Sequence, residues 1–376
     1  MKYVFWISLL LIGYTYFGYA ILLWVWARSI ARRERIIRRA SDRTVSVVIA
    51  VHNEERNILK RIRNILEQDY PKNKIEIIIV SDGSKDSTSQ LVEDLIGWGT
   101  NNLSLIHYAE RKGKAYALNL GVNKASGEII VFADGRQEFN VEAIRELVSN
   151  FDDPSVGCVS GELVFLNPHY ESIKEEIETY WNYEKWIRKI ESLIHSIPGA
   201  TGAIYAIRRS LYTNVPDRVL LDDVYIPMGI VLKGYRAIFN GKAVAYDLPS
   251  KDFVTEKRRK VRTLMGNWQL LGTIPDVLNP FRNPIWLQYL SHKVLRLVVP
   301  FCFVAYSAAS LFLQPFFYRT VLIGTFFFFI LPIFEKKING IKALSRLCKM
   351  SRAAYNLNYF ALLGFIKFLM RKEIVW

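Results

Sequence analysis

The sequence predicts an α/β domain on a mostly parallel sheet, joined to transmembrane α-helices at both ends of the chain. Two observations carry this. From about Val45 to Asp247, short β-rich runs alternate with helical stretches, the pattern of βαβ units. Outside that region lie long uncharged runs, the first from Tyr3 to Ala27, enough to cross a bilayer of about 30 Å.

The first run exceeds an ordinary signal-peptide core. It is followed by Arg28, Arg32, Arg33, Arg35, Arg38 and Arg39 instead of a small-residue cleavage site, so it reads as a retained anchor. The predicted organisation is a span over residues 1–27, a basic interfacial linker over 28–44 and the α/β domain over 45–250. Amphipathic interfacial helices follow over 251–293, with Trp268 and Trp286 as interface anchors. Residues 294–376 form a C-terminal transmembrane region of two or three spans. Leu297–Tyr318 and Thr320–Phe334 are uncharged, whereas Ala353–Ile366 carries Asn356 and Asn358 and reads as a span or an interface helix.

Inside the α/β domain, Val45–Val51 is the first strand, and the spacing of Ile58, Ile62, Ile65 and Leu66 makes Arg56–Gln68 a helix. Ile75–Val80 is the next strand, with Asp86-Ser87-Thr88 opening a helix over Ser89–Leu95. Lys114–Val122 is helical, Glu128–Phe132 is a strand, and an aromatic-rich stretch runs from Tyr170 to Trp186.

The chain has 376 residues, a net charge of +15 and 51% hydrophobic residues, which argues against a plain cytosolic enzyme. The basic residues hug the ends of the apolar runs, the second cluster being Lys336, Lys337, Lys342, Arg346, Lys349 and Arg352. The positive-inside rule places both clusters, and the α/β domain, on the cytoplasmic side. Anionic membrane lipids explain this charge better than nucleic acid, for which no binding module is present. Cys158, Cys302 and Cys348 lack metal-ligand spacing and read as buried small hydrophobes in a reducing compartment.

The strands end in polar or acidic residues: His52-Asn53-Glu54, Ser81-Asp82-Gly83-Ser84 and Ala133-Asp134-Gly135-Arg136. Open α/β sheets bind ligands just outside that edge. Asp82 fits a nucleotide reader, a carboxylate accepting bonds from a base edge or ribose, or else an ordinary turn carboxylate. In Lys112-Gly113-Lys114 an ammonium meets the free N–H groups of a helix start, which suits a diphosphate, unless it is a solvated basic turn. Asp222-Asp223 is a pair of like charges in which one pKa rises, improving a base near neutral pH. It equally reads as an N-cap with an acidic first turn before the helix Ile226–Leu232.

The segments VVIAVHNEE, VSDGSKDST, RKGKAYALN and VFADGR resemble the nucleotide-binding half of family 2 glycosyltransferases. LDDVYIPMGIVLKGYRAIF and RRKVRTLMGN resemble its acceptor half, so the resemblance covers about residues 45–270. With the flanking spans, the chain looks like the membrane-embedded members, such as cellulose and hyaluronan synthases. The resemblance implies a GT-A-like, Rossmann-like domain. It implies inverting transfer from a nucleotide-sugar, a UDP-sugar, to a polyprenyl-linked saccharide or growing glycan at the cytoplasmic membrane face.

The same resemblance assigns roles. Asp223 is the general base, beside Asp222. Glu54, Asp82, Lys114, Asp134, Arg259 and Arg262 bind the donor, Thr201 and Gly202 lie under the acceptor, and Asp134 holds Mg²⁺ or Mn²⁺. Pro198–Gly202 offers small residues and backbone to an approaching sugar, or is an ordinary loop. Two departures stand out. The family's Asp-X-Asp is here Asp134-Gly135-Arg136, and its Gln-X-X-Arg-Trp is Arg259-Lys260-Val261-Arg262-Thr263. The first leaves Asp134 with Gln137, water and phosphates as ligands, or lets Arg136 neutralise phosphate directly. The second removes an aromatic platform for a polymer. The alternatives are a processive polysaccharide synthase and an inactive membrane scaffold that keeps the fold.

Overall fold

A computed structural model describes residues 1–30, 42–166, 171–249, 252–314, 316–334 and 342–370. Arg32, Arg33, Arg35, Arg38 and Arg39 of the basic linker, Lys336, Lys337 and Tyr170 lie outside the described residues.

The chain opens with α1 (Lys2–Gly13), which passes through a π-helical turn into α2 (Tyr19–Ile30). There follow β1 (Val45–Val51), α3 (Ile58–Leu66), β2 (Ile75–Asp82), α4 (Thr88–Gly97), β3 (Leu103–Tyr108), α5 (Lys114–Lys124) and β4 (Ile129–Ala133). The second half holds β5 (Glu138–Phe139), α6 (Ala143–Val148), β6 (Val156–Phe165), α7 (Glu171–Ile194), β7 (Ile204–Arg208), α8 (Asp222–Leu232) and β8 (Arg236–Asp247). The C-terminal helices are α9 (Phe253–Thr273), α10 (Trp286–Tyr289), α11 (Leu295–Phe312), α12 (Phe316–Ile330) and α13 (Lys342–Leu369).

The eight strands form one sheet in the order β3-β2-β1-β4-β7-β6-β8-β5. β1 pairs in parallel with β2 and β4, and β2 with β3. All seven β1 residues are buried, as a strand covered on both faces requires. Alternate β1 side chains enter different cores. Val47, Ile49 and Val51 pack with Ile58, Ile62 and Ile65 of α3, and Val48 and Ala50 with Leu118 and Val122 of α5.

The sheet is mixed beyond β4. β7 runs antiparallel between β4 and β6, while β6 and β8 pair in parallel. That reversal matters for function. The register Ala133↔Ile204 sets the beginning of β7 beside the end of β4, bringing the residues just before β7 to the edge where β1, β2 and β4 finish.

Among the described residues, three helical segments are long and apolar enough to cross a membrane: Lys2–Ser29, Trp286–Phe312 and Phe316–Phe334. The second starts well before Leu297, where its uncharged run begins, and so takes in His292, Lys293 and Arg296. Two of these polar residues stay in the helix because carboxylates of α7 meet them: His292 lies between Glu184 and Glu191, and Arg296 pairs with Glu184. α13, which contains the Ala353–Ile366 stretch, packs on α9, with Gly364 against Leu264 and Met265. α7 ties the first span to the sheet. Its Ile187, Ile190 and Ile194 pack on Tyr19 and Leu23, and its Ser192 Oγ accepts the β8 N–H of Phe239 at 2.9 Å. Cys158, Cys302 and Cys348 are buried and free.

Candidate active site

The strand ends are laced together by their own turn residues. Asn53 takes a left-handed conformation (φ 55°), and its Oδ1 accepts the Lys85 N–H at 2.8 Å, joining the exits of β1 and β2. Gly83 is also left-handed (φ 62°), and a Cβ there would lie 2.6 Å from the Arg111 nitrogen, so only glycine lets the loops approach. Glu54 accepts a hydrogen bond from Asn57 Nδ2 at 2.6 Å and packs against Gly135 at the β4 exit.

Asp82 ends β2 as predicted, yet it does not face the cleft. It is 0% exposed, and Oδ1 accepts from Tyr108 Oη at 2.9 Å and from the N–H groups of Lys112 and Gly113 at 2.7 and 3.1 Å. Oδ2 accepts from Gly113 as well, at 2.9 Å. Its carboxylate therefore fixes the turn that opens α5. The Lys112 and Gly113 N–H groups, expected to meet phosphate, are taken by the same carboxylate.

Lys114, the first residue of α5, gathers the remaining acids. Its Nζ donates to Asp134 Oδ1 at 3.0 Å and lies 3.6 Å from Asp222 Oδ2. Burial works against its charge, but Asp134 and Asp222 outweigh it, so its pKa is raised above the usual lysine value. For Asp134 burial acts upward, and Lys114, Arg136 and Arg262 more than offset it, holding the carboxyl below its ordinary value.

Asp222 and Asp223 occupy the first turn of α8, whose N-cap is Leu221, so the pair is not itself the cap. Asp222 Oδ2 is buried without a hydrogen-bond donor. Asp223 responds to burial first and to Asp222 second, against the pull of Lys114, Lys293 and Arg188, and its pKa is pushed up to about 6. Its backbone carbonyl accepts the Ala200 N–H at 2.7 Å, and a Cβ on Gly202 would lie 3.1 Å from its Oδ2. Thr201 and Gly202 thus stand beside it, carried there by the antiparallel β7.

The basic helix α9 divides its arginines. Arg262 is partly buried, acts on Asp134, and among the described residues has no ion pair. Arg259 pairs with Glu256 of its own helix at 3.9 Å. Arg136, in place of the second carboxylate, turns to the buried Asp247 at 3.1 Å, which also accepts from Gln137 Nε2 at 2.9 Å. Thr263 is exposed and bonds back to the Arg259 carbonyl at 3.1 Å.

Two cations at this site escaped sequence reasoning, Arg188 of α7 and Lys293 of the second apolar segment. For Lys293 one signal existed: an ionisable residue inside a span-like helix is a functional candidate by default.

Residues 46–215 match the model described as glycosyl transferase family 2. The glycosyltransferase AglE of Haloferax volcanii is 31% identical over 140 residues, covering 37% of this chain and 46% of that protein. The poly-beta-1,6-N-acetyl-D-glucosamine synthase of Staphylococcus aureus is 26% identical over 233 residues, covering 60% of this chain and 55% of that one. The chain therefore spans about half the length of the curated relatives it matches. Among solved structures, the mannosyltransferase PcManGT from Pyrobaculum calidifontis, in complex with GDP-Man and Mn²⁺, superposes with a TM-score of 0.73. That likeness covers 98% of this chain and 100% of the other at 21% identity, and it shows a shared fold. By the sequence match and that fold, residues 46–215 are similar to glycosyl transferase family 2 and the chain carries a GT-A-like fold.

Proposed function

We propose that this chain is a membrane-anchored inverting glycosyltransferase, moving a sugar from a nucleotide-sugar to a lipid-linked saccharide or growing glycan. One observation carries the reading. Asp223, with its pKa raised to about 6, shares a cleft with the Lys114–Asp134 pair at the ends of β1, β2 and β4. A carboxylate tuned in that way is ionised at neutral pH and still basic enough to take a hydroxyl proton.

In this mechanism Asp223 deprotonates the acceptor hydroxyl, which attacks the anomeric carbon from the face opposite the nucleotide. Direct displacement inverts the configuration, so an α-linked donor yields a β-linked product. Negative charge builds on the leaving diphosphate, where Lys114 and the unpaired Arg262 supply fixed positive charge. Glu54 and Asp134 frame the donor from the first and fourth strand ends, and Asp82 holds the turn that presents Lys114. The apolar segments pin this cleft to the bilayer, and Arg28 with the basic linker favours a cytoplasmic placement.

A divalent cation fits this donor set in one way only. Among the described residues no three His, Cys, Asp or Glu side chains converge, and Arg136 is engaged with Asp247. Asp134 is nonetheless ionised and 31% exposed, and the donor's phosphates complete a shell around one carboxylate. Mg²⁺ or Mn²⁺ held on Asp134 would neutralise the diphosphate when bound.

Single addition is favoured over processive synthesis because Thr263, exposed and bonded to its own helix, offers no ring for a polymer to stack on. A ladder of long products from the purified enzyme contradicts that preference. The reading as a whole is tested by screening UDP- and GDP-sugars for thermal stabilisation of the full chain, with and without Mg²⁺ or Mn²⁺. A true donor raises the melting temperature with concentration. No shift with any nucleotide-sugar overturns the reading in favour of an inactive scaffold.

A further inference from the structure

The segment where α10 continues into α11 meets α7 through His292, Arg296, Glu184 and Glu191, which pair with one another, and through Lys293 and Arg188. Glu191 is fully buried and accepts from Tyr19 Oη. His292 Nδ1 lies 2.9 Å from Glu191 Oε1, and its Nε2 lies 2.9 Å from Glu184 Oε2. Arg296 completes the set on Glu184. Lys293, the next residue after His292, takes no part: it is only partly exposed, and among the described residues it makes no hydrogen bond or ion pair.

Arg188 faces the same region. Its Nη1 donates to Thr201 Oγ1 at 2.7 Å, and among the described residues it too has no ion pair. Thr201 is itself fixed, its N–H donating to Ser160 Oγ at 2.9 Å. Gly202, next in the chain, abuts the Asp223 carboxylate, so Arg188 and Lys293 flank the proposed base from the side of the apolar helices. A small cleft lined by Glu162, Glu184, Lys185, Arg188, Thr201 and Phe239 opens there. Its two acids are already engaged, Glu162 with Lys185 and Glu184 with His292 and Arg296.

Two cations held close together and partly out of water repel one another, and the repulsion is stronger than in solvent. Asp223 and Glu184 both act on these cations, but Glu184 is shared with His292 and Arg296, and Asp223 becomes neutral when it takes the acceptor's proton. An anion on the acceptor side relieves that imbalance. Because Lys293 belongs to a helix long enough to span the bilayer, such an anion would sit close to the headgroup layer.

We propose that Arg188 and Lys293 form an acceptor-phosphate site, so that the acceptor carries a phosphate or diphosphate close to the hydroxyl that Asp223 deprotonates. This rests on the glycosyltransferase reading above and names its acceptor class. The same chemistry has two sources, a prenyl phosphate in the bilayer or a soluble sugar phosphate.

The test uses the full chain in nanodiscs, saturated with UDP or GDP so that the donor diphosphate site is filled. Farnesyl phosphate and glucose 1-phosphate are then titrated while thermal stability is followed. Wild type should be stabilised further. Lys293→Gln and Arg188→Gln should weaken that second effect at least tenfold, with stabilisation by nucleotide unchanged and with Lys293→Arg retaining most of it. A response to farnesyl phosphate alone assigns the site to lipid-linked acceptors, and an equal response to glucose 1-phosphate assigns it to soluble ones. Either supports the phosphate site. No second stabilisation in wild type, or one that both glutamine variants retain, overturns it. Failure of the nucleotide itself to stabilise the protein counts instead against the glycosyltransferase reading.

Discussion

Replacing Asp222 with Asn should move the acid limb of activity to lower pH. Asp223 has its pKa raised to about 6, first by burial and second by the Asp222 carboxylate beside it. Its active form is the ionised one, so the rate rises with pH through that value and levels off above it. Two carboxylates at neighbouring positions of a partly buried turn interact by roughly 1–3 kcal/mol at an effective dielectric near 20, and Lys114 already screens the upper part of that range. A shift of about one pH unit is therefore expected, since one unit corresponds to about 1.4 kcal/mol. Burial persists in the variant, so the limb settles near 5 and not at the value of a free aspartate. The assay is kcat/KM for sugar transfer between pH 4.5 and 8, each profile scaled to its own plateau. At pH 5 the wild type should retain about a tenth of its plateau and the variant about half. An unmoved limb, or one moved upward, refutes the placement of Asp223 as a base coupled to Asp222.

Lys114→Met should shift the same limb the opposite way, above pH 6, because Lys114 pulls the Asp223 pKa down; donor affinity should fall as well, both readable from one pH series. Gly202→Ala places a Cβ 3.1 Å from Asp223 Oδ2, displacing the base by a few tenths of an ångström; kcat should fall about tenfold with nucleotide affinity intact. His292→Leu removes the bridge between Glu184 and Glu191 and should destabilise the protein by about 2–3 kcal/mol, seen as a fall of several degrees in melting temperature. An unchanged melting temperature there would mean that α7 and the second apolar segment do not depend on this contact.

The parallel half of the sheet was legible because its strands are buried on both faces and read as unbroken apolar runs, as in Val45–Val51. The antiparallel half was not. Whether Ile204–Arg208 lies beside β4, and in which direction, depends on pairing with residues some 70 positions away, which no local pattern encodes. At the site, motif spacing located Lys114, Asp134, Asp222 and Asp223, the residues that the fold brings together. It did not reveal that Asp82 holds a second loop, because a carboxylate followed by glycine looks the same whether it faces solvent or braces a turn. The start of the second apolar segment was hidden for a related reason. His292 and Arg296 interrupt its apolar pattern, and their neutralising partners sit on α7, about 100 positions earlier. Arg188 carries no motif, and Lys293 only the signal of an ionisable residue in a span-like helix; both acquire their meaning beside Asp223.

The central claim is that Asp223 acts as the base in direct displacement at this cleft. The most direct measurement is paired, with sugar transfer and nucleotide affinity both determined for Asp223→Asn in the full chain. Asparagine keeps the shape and cannot accept the proton, so transfer should fall by at least a hundredfold while nucleotide affinity stays within about twofold of wild type. Transfer at the wild-type rate in that variant would contradict the account.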